Sequence, residues 1–481
     1  MVARERRWLL ALAVAAYLAA ICCVRPQATA GAPSRDFEAY YAAGATWARG
    51  GDPYSRDIWP IERTLPGVDA RRAEVLPFVN PPPLLPALAL YARLPFAAAT
   101  IAWDATLAIA LLLLIGALLV VARRARDAWA WASALLLALS FGPISSDLAL
   151  GQFALIAVAA IAVASAASFR GRLTSAAVAT TIAALQPTLA PVLLAWSRTR
   201  RAVFAQILAA IALLAAWAFV ARAGNVPSPL GYARLLRAHG AAEGLSLVQF
   251  APAAVAHGLG ASVVPAAVIG WIVMLLALAA ACAIAWIRRD DPIAVLCGWC
   301  ALAPLALPFF HEHDFALLLV PGLLLLARRP AGPIAMWTLG AVLLVGVDWL
   351  GIAMRLDGIE QSLLLLVALA AAIVAFAELA PTRVLLALLP IAACVIILAN
   401  LPPLPVWPDD AGAFSIPPDA AIAAVWHAEQ LASGMFATQP AASLFRLLPL
   451  AGAGILAWLS ARRPPVGWDS KRSWSARAAI R

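Results

Sequence analysis

Charge is scarce in this chain. Of its 481 residues only 12% are Asp, Glu, Lys or Arg, while 64% are hydrophobic, and a soluble domain carries about twice that charge fraction. The shortage excludes a soluble fold for most of the length. Lysine is nearly missing, with Lys471 the sole example, so arginine carries the net charge of +10. In a soluble protein such a balance would suggest nucleic acid. Here the arginines gather at the ends of apolar runs, where membrane topology accounts for them. Short alternating segments at barrel spacing are absent, which excludes a transmembrane β-barrel. No internal repeat is visible, which speaks against a transporter assembled from similar halves. The six cysteines (Cys22, Cys23, Cys282, Cys297, Cys300 and Cys394) all fall inside apolar runs. Cys297-Gly-Trp-Cys300 has CxxC spacing, yet within a span it reads as small apolar packing rather than a redox or metal pair.

What is present is a series of apolar runs, each about 17 to 25 residues long, parted by short charged or Pro/Gly-rich joints. The expected fold class is all-α, a polytopic transmembrane helical bundle of about 12 to 14 spans or re-entrant segments. The first run, Trp8 to Val24, follows Arg4 to Arg7 and resembles a signal peptide, but is read as an uncleaved first span. Arginine placement then puts residues 25–80 outside and the run 97–122 returning to Arg123, Arg124 and Arg126. Runs 128–144 and 148–168 go out and back. Residues 173–185 and 187–197 have basic residues on both flanks and form a hairpin broken at Gln186-Pro187. The runs 202–222 and 263–287 bracket a second external loop, 223–262. Runs 292–308 and 315–327 form a hairpin whose tip is His311-Glu312-His313-Asp314. Spans near 333–353, 362–380, 383–400 and 446–461 complete a single polytopic domain, 1–461, with an outer loop 401–445 and a basic cytoplasmic tail, 462–481.

This topology gathers the polar clusters on one face. Asp36 opens an amphipathic helix, 36–49, closed by Gly50-Gly51-Asp52-Pro53-Tyr54, and Tyr40 shares its face four residues on. A carboxylate just past the first span is well placed to act as a base toward a hydroxyl at the bilayer surface; serving as the N-cap of its own helix is the equal alternative. Asn80-Pro-Pro-Pro83 opens a run too short to span, suited to the interface, to a lipid chain or simply to packing. Gln152 and Gln186 are amides in apolar sequence that need a partner, either a ligand or a neighbouring helix, with helix bonding favoured for Gln152. Arg234 and Arg237 suit a lipid phosphate, or are ordinary basic residues near head groups. The tip residues His311, His313 and Asp314 suit a divalent metal, a phosphate or sugar, or a solvated turn. Asp348, Arg355, Asp357 and Glu360 are read as loop charges.

The order of these motifs resembles the GT-C superfamily of membrane glycosyltransferases, specifically glycosyltransferase family 87, the polyprenyl-phosphate-mannose-dependent α-mannosyltransferases. The resemblance runs through Asp36-Phe-Glu-Ala-Tyr40-Tyr41-Ala-Ala-Gly44, Gly51-Asp52-Pro53-Tyr54, Asn80-Pro-Pro-Pro-Leu84, Leu150-Gly151-Gln152-Phe153, Leu185-Gln186-Pro187 and His313-Asp314-Phe315, over roughly residues 1–330. It implies a GT-C-like bundle that moves a sugar, mannose favoured, from a polyprenyl-phosphate donor to a lipid or glycan acceptor. Asp36 is then the general base, with Tyr40, Gln152, Gln186, Arg234, Arg237, His311, His313 and Asp314 at the substrates. No cofactor is implied, a divalent metal staying open, and the partners are the lipid-linked donor, the acceptor and the bilayer, with no nucleic acid. The location implied is the inner (plasma) membrane with an extracytoplasmic active face. The chain carries Gln186-Pro187 where relatives of this kind have Lys-Pro, which removes a cation from the donor side. A transporter or flippase of lipid-linked sugars and a non-catalytic envelope-assembly subunit are the competing readings.

Overall fold

A computed structural model describes residues 34–66, 76–196, 199–328, 333–346 and 420–462. The expected spans 8–24, 362–380 and 383–400 lie outside these residues, as do Asp348, Arg355, Asp357, Glu360, Lys471 and the tail after residue 462. Within them every regular element is helical, joined by an isolated bridge between Gln249 and His311.

The segment before the first long apolar helix carries α1 (Arg35–Ala48), α2 (Trp59–Glu62) and α3 (Leu85–Tyr91), and leads into α4 (Phe96–Val121). Next come α5 (Ala128–Leu139), α6 (Gly142–Leu150), α7 (Ala154–Phe169), α8 (Leu173–Ala183) and α9 (Arg200–Ala223). Two polar-flanked helices, α10 (Pro229–Glu243) and α11 (Pro252–Gly258), precede α12 (Val263–Ile287). The described chain closes with α13 (Pro292–Ala306), α14 (Leu319–Arg328), α15 (Pro333–Gly346), α16 (Ile422–Ala432) and α17 (Pro440–Ala461).

Among the described residues four helices are long and apolar enough to cross a membrane: α4, α9, α12 and the Ser443–Ala461 part of α17. At 1.5 Å per residue α9 is about 36 Å long, enough for a hydrocarbon core of about 30 Å. Its outer face leaves Ile211, Leu214 and Phe219 exposed, and α12 does the same with Val264, Trp271 and Leu276. Such continuous apolar surface on long helices is the face of a membrane protein turned to lipid.

Two boundaries differ from the sequence reading. The run expected as 128–144 and 148–168 breaks earlier, at Ser140-Phe141, where α5 and α6 meet at a bend of 66°. Phe141 is extended and Pro143 sits in the first turn of α6, so the chain restarts a helix there instead of continuing one. The last span begins at Pro440, not 446, and α16 lies within what was read as loop 401–445. That extension takes Arg446 into the helix, where it is fully buried. Its guanidinium donates to the Gln249 carbonyl at 2.8 Å, the Ala254 carbonyl at 3.2 Å and Ser443 Oγ at 2.7 Å. Backbone acceptors thus satisfy a cation that apolar surroundings would otherwise reject. Cys297 and Cys300 are buried free thiols in α13, packed as expected.

Two glycines let the α1 end of the bundle close. A Cβ on Gly44 of α1 would lie 2.5 Å from the backbone carbon of Leu88 in α3. Gly151, at φ 73°, ends α6 in the left-handed region, and a Cβ there would meet Phe37 Cβ at 2.8 Å.

Candidate active site

Helix α1 starts at Arg35, so its N-cap is Ser34, and Asp36 sits in the first turn without capping the helix. The chain is anchored here by the Ser34 amide, which donates to the Ala149 carbonyl at 2.7 Å. Phe37 stacks on Trp103 of α4 with ring centroids 5.0 Å apart, and Trp103 Nε1 donates to the Gly151 carbonyl at 2.8 Å. These contacts set the first turn of α1 against the loop after α6. Gln152 in that loop then serves both polar groups on the α1 face. Its Nε2 donates to the Asp36 carboxylate, and its Oε1 accepts from the Tyr40 hydroxyl at 2.9 Å. Gln152 is therefore a bridge between the two predicted α1 residues, and the capping alternative for Asp36 falls away.

Gln186 lies at the break after α8 and accepts from Asn80 Nδ2 at 3.1 Å, while Asn80 also donates to the Leu185 carbonyl at 3.2 Å. The Gln186 side chain also lies close enough to Asp314 to favour its ionised form. Three motifs far apart in sequence meet at this point. The Asn80 segment is pinned further by Tyr54, whose hydroxyl donates to the Asn80 carbonyl, and by Tyr232, which donates to the Val79 carbonyl, both at 2.6 Å.

The His311–Asp314 tip is folded inward, and His313 and Asp314 are buried. Asp314 Oδ2 accepts from the His311 amide at 2.9 Å, closing the turn before a 3₁₀ stretch, His313–Leu318. The His311 and His313 rings stack at 5.0 Å. Beyond them stands Glu243, the last residue of α10 and fully enclosed. Its Oε1 lies 2.6 Å from His311 Nε2 and accepts from Gln249 Nε2 at 3.0 Å. Its Oε2 accepts from the Trp426 indole at 2.9 Å and lies 3.3 Å from His239 Nε2. Tyr232, His239 and Glu243 line the buried face of α10, and Trp426 brings α16 into the same network.

The electrostatics sort these groups into distinct roles. Burial raises the Asp36 pKa above the ordinary carboxylate value, although Arg35 and the Gln152 hydrogen bond pull it back in part. Burial also opposes ionisation of Glu243, but His311 and His239 outweigh it and hold this carboxylate well below its usual range. Burial works against a charge on His311, and Glu243 overcomes it, so the His311 pKa is raised. His313 goes the other way: burial and the His311 charge keep it neutral. Asp314 is pushed up to about 6 by burial, against the pull of His311 and its hydrogen bonds. The site thus combines a carboxylate that is costly to ionise, an imidazole whose charged form is favoured and one whose neutral form is favoured.

Of the residues singled out in sequence, Asp36, Tyr40 and Gln152 form one cluster, and Gln186, His311, His313 and Asp314 belong to a second beside it. Asp36 and His311 feel one another's charge, which joins the two. Arg234 and Arg237 stand apart, exposed on α10 and off its buried face. The sequence reading missed Glu243, Gln249 and Trp426. The four-residue step from His239 to Glu243 was a readable signal; Trp426 had none, because α16 reaches the site only through tertiary packing. It also missed Asp147 of α6, a carboxylate within an apolar run and entirely buried.

No curated protein and no solved structure matches the chain. The model of glycosyltransferase family 87 matches residues 78–308, just under half of the length. The matched stretch holds the Asn80 segment, Gln152, Gln186 and Glu243, and it stops short of the His311 tip; Asp36 precedes it. Together with the helical bundle and its lipid-facing spans, the match makes the chain similar to glycosyltransferase family 87 and supports a membrane glycosyltransferase.

Proposed function

We propose that the enzyme transfers a sugar, mannose favoured, from a polyprenyl-phosphate donor to a hydroxyl of a lipid or glycan acceptor at the extracytoplasmic membrane face, with Asp36 as general base. The observation that carries this reading is a buried carboxylate, positioned by Gln152, in one polar cluster with an imidazole whose pKa Glu243 raises. Asp36 takes the acceptor proton as the acceptor oxygen attacks the anomeric carbon. The bond from that carbon to the phosphate oxygen breaks in the same step, and the electron pair leaves with the polyprenyl phosphate. A single displacement inverts the centre, so a β-linked donor gives an α-linked product. The phosphate is already a good leaving group and needs charge stabilisation more than a proton.

His311, kept charged by Glu243, supplies that stabilisation, and neutral His313 offers a hydrogen bond. Gln152 fixes Asp36 so that its free oxygen meets the acceptor. Gln186, held by Asn80, gives the donor phosphate an amide N–H in place of a Lys ammonium. Arg234 and Arg237, exposed on α10, are available to a lipid phosphate arriving from the head-group layer.

The test is transfer from a panel of radiolabelled polyprenyl-phosphate sugars in proteoliposomes holding the purified chain. Label appearing in an α-linked product from the mannosyl donor, and from no nucleotide sugar, is the expected result. Movement of intact lipid-linked sugar across the vesicle without transfer would favour a flippase.

A further inference from the structure

Asp147 has no task in the mechanism above. It lies on α6, fully buried, and neither carboxylate oxygen has a hydrogen-bond partner. The backbone N–H of Leu155 is the donor that acts on it, short of bonding geometry, and the charges it feels are the carboxylates of Asp314 and Asp36. Helix α6 packs on the 3₁₀ stretch His313–Leu318, which brings Asp147 to the Asp314 side of the site. Asp314 repeats the pattern: Oδ2 is bonded to the His311 amide, whereas Oδ1 is buried with no partner. Burying two neighbouring carboxylates with free lone pairs is costly unless something positive meets them.

Next to these oxygens lies a ready set of nitrogen donors. One ligand atom each from His311, His313 and Asp314 falls within 4.8 Å of the others. His311 has its Nε2 on Glu243 Oε1 at 2.6 Å, which leaves Nδ1 as the nitrogen with a lone pair to give. A carboxylate holding the far nitrogen of an imidazole is the usual support of a metal-bound histidine. Asp36 lies outside this group of ligand atoms.

We propose that His313 and Asp314, joined by His311 through Nδ1, bind one divalent cation of the Mn²⁺ or Zn²⁺ class, with Glu243 as the orienting carboxylate and Asp147 as a neighbouring negative charge. Mixed oxygen and imidazole donors suit those ions better than Mg²⁺ or Ca²⁺. The inference deepens the reading of the site as a sugar-phosphate transferase. With the ion bound, its charge rather than the His311 proton meets the departing phosphate. Binding itself needs neither donor nor acceptor, so it can be measured whatever the fate of that reading.

The experiment uses the full chain, purified on a histidine-free tag, stripped with EDTA and placed in nanodiscs. Mn²⁺ binding is followed by loss of the free-ion electron paramagnetic resonance signal, and Zn²⁺ binding by calorimetry. The expected result is one ion per chain, with binding lost in Asp314→Asn and weakened in Asp147→Asn. Glu243→Gln is expected to weaken it by about 10- to 100-fold, and Asp36→Asn to leave it unchanged. Size-exclusion profiles and thermal unfolding of each variant show whether it is folded. Wild type that takes up neither ion at one per chain overturns the proposal without reference to any variant. Uptake that persists undiminished in folded Asp314→Asn overturns it equally, as would loss in folded Asp36→Asn.

Discussion

An ionised Asp36 is the form that can accept a proton, and burial makes that form costly. Its folded pKa is raised above the unfolded value of about 3.9, so the fold favours the neutral acid. The stability this contributes is complete below the unfolded value and is lost as pH rises through the folded one. Catalysis runs the opposite way, gained over the same rise as the base ionises. Transfer should therefore show an acid limb above the ordinary carboxylate range while thermal stability declines across that limb, and Asp36→Asn should flatten this component of the stability profile. Paired pH profiles of rate and melting temperature check both. Glu243 poses a different problem, since it is one enclosed carboxylate shared by four side chains. Glu243→Ala leaves His311 without its counter-charge and should cost about 3–5 kcal/mol, the usual penalty for breaking a buried pair. Denaturant or thermal unfolding in detergent measures it.

At the scale of elements, the site is assembled where helix ends meet. The first turn of α1 meets the loop after α6, and the end of α10 meets the His311 tip. The close approaches at Gly44 and Gly151 make that possible. Gly44→Ala pushes a methyl group into the backbone of α3 and Gly151→Ala into Phe37, and each should destabilise by about 1–3 kcal/mol, as overpacking does. Unfolding midpoints compared with those of Gly240→Ala, where a Cβ meets nothing, check this.

The same elements explain how far the sequence could be read. Apolar run length placed α4, α9 and α12 within a few residues, because each is a long helix facing lipid and its pattern depends on nothing else. Run length missed the bend at Ser140-Phe141, since one apolar stretch holds two helices and only Gly142-Pro143 marks the join. The α1 face of Asp36 and Tyr40 followed from spacing alone. Their common partner Gln152 did not, being 116 residues from Asp36, and neither did the junction of Asn80, Gln186 and Asp314. Trp426 reaches Glu243 from 183 residues away. Local pattern carries no information on such pairings.

For the whole molecule, arginine placement and site location make a joint prediction about sidedness. Arg123, Arg124, Arg288 and Arg289 lie at the ends of spans opposite the polar cluster. In a cysteine-free background, Leu230→Cys on the exposed start of α10 should react with an impermeant maleimide in intact cells. Arg289→Cys should react only after permeabilisation. The reverse pattern would put the site on the cytoplasmic face and remove the proposed extracytoplasmic donor.

The central claim is that a membrane glycosyltransferase uses Asp36 to take the acceptor proton. It is tested most directly by single-turnover transfer from polyprenyl-phosphate mannose with wild type and Asp36→Asn side by side. Rate loss of about 10²- to 10⁴-fold, with donor binding and melting temperature retained, is the predicted result. Transfer by Asp36→Asn at the wild-type rate would contradict the account and move the search for the base to Asp314.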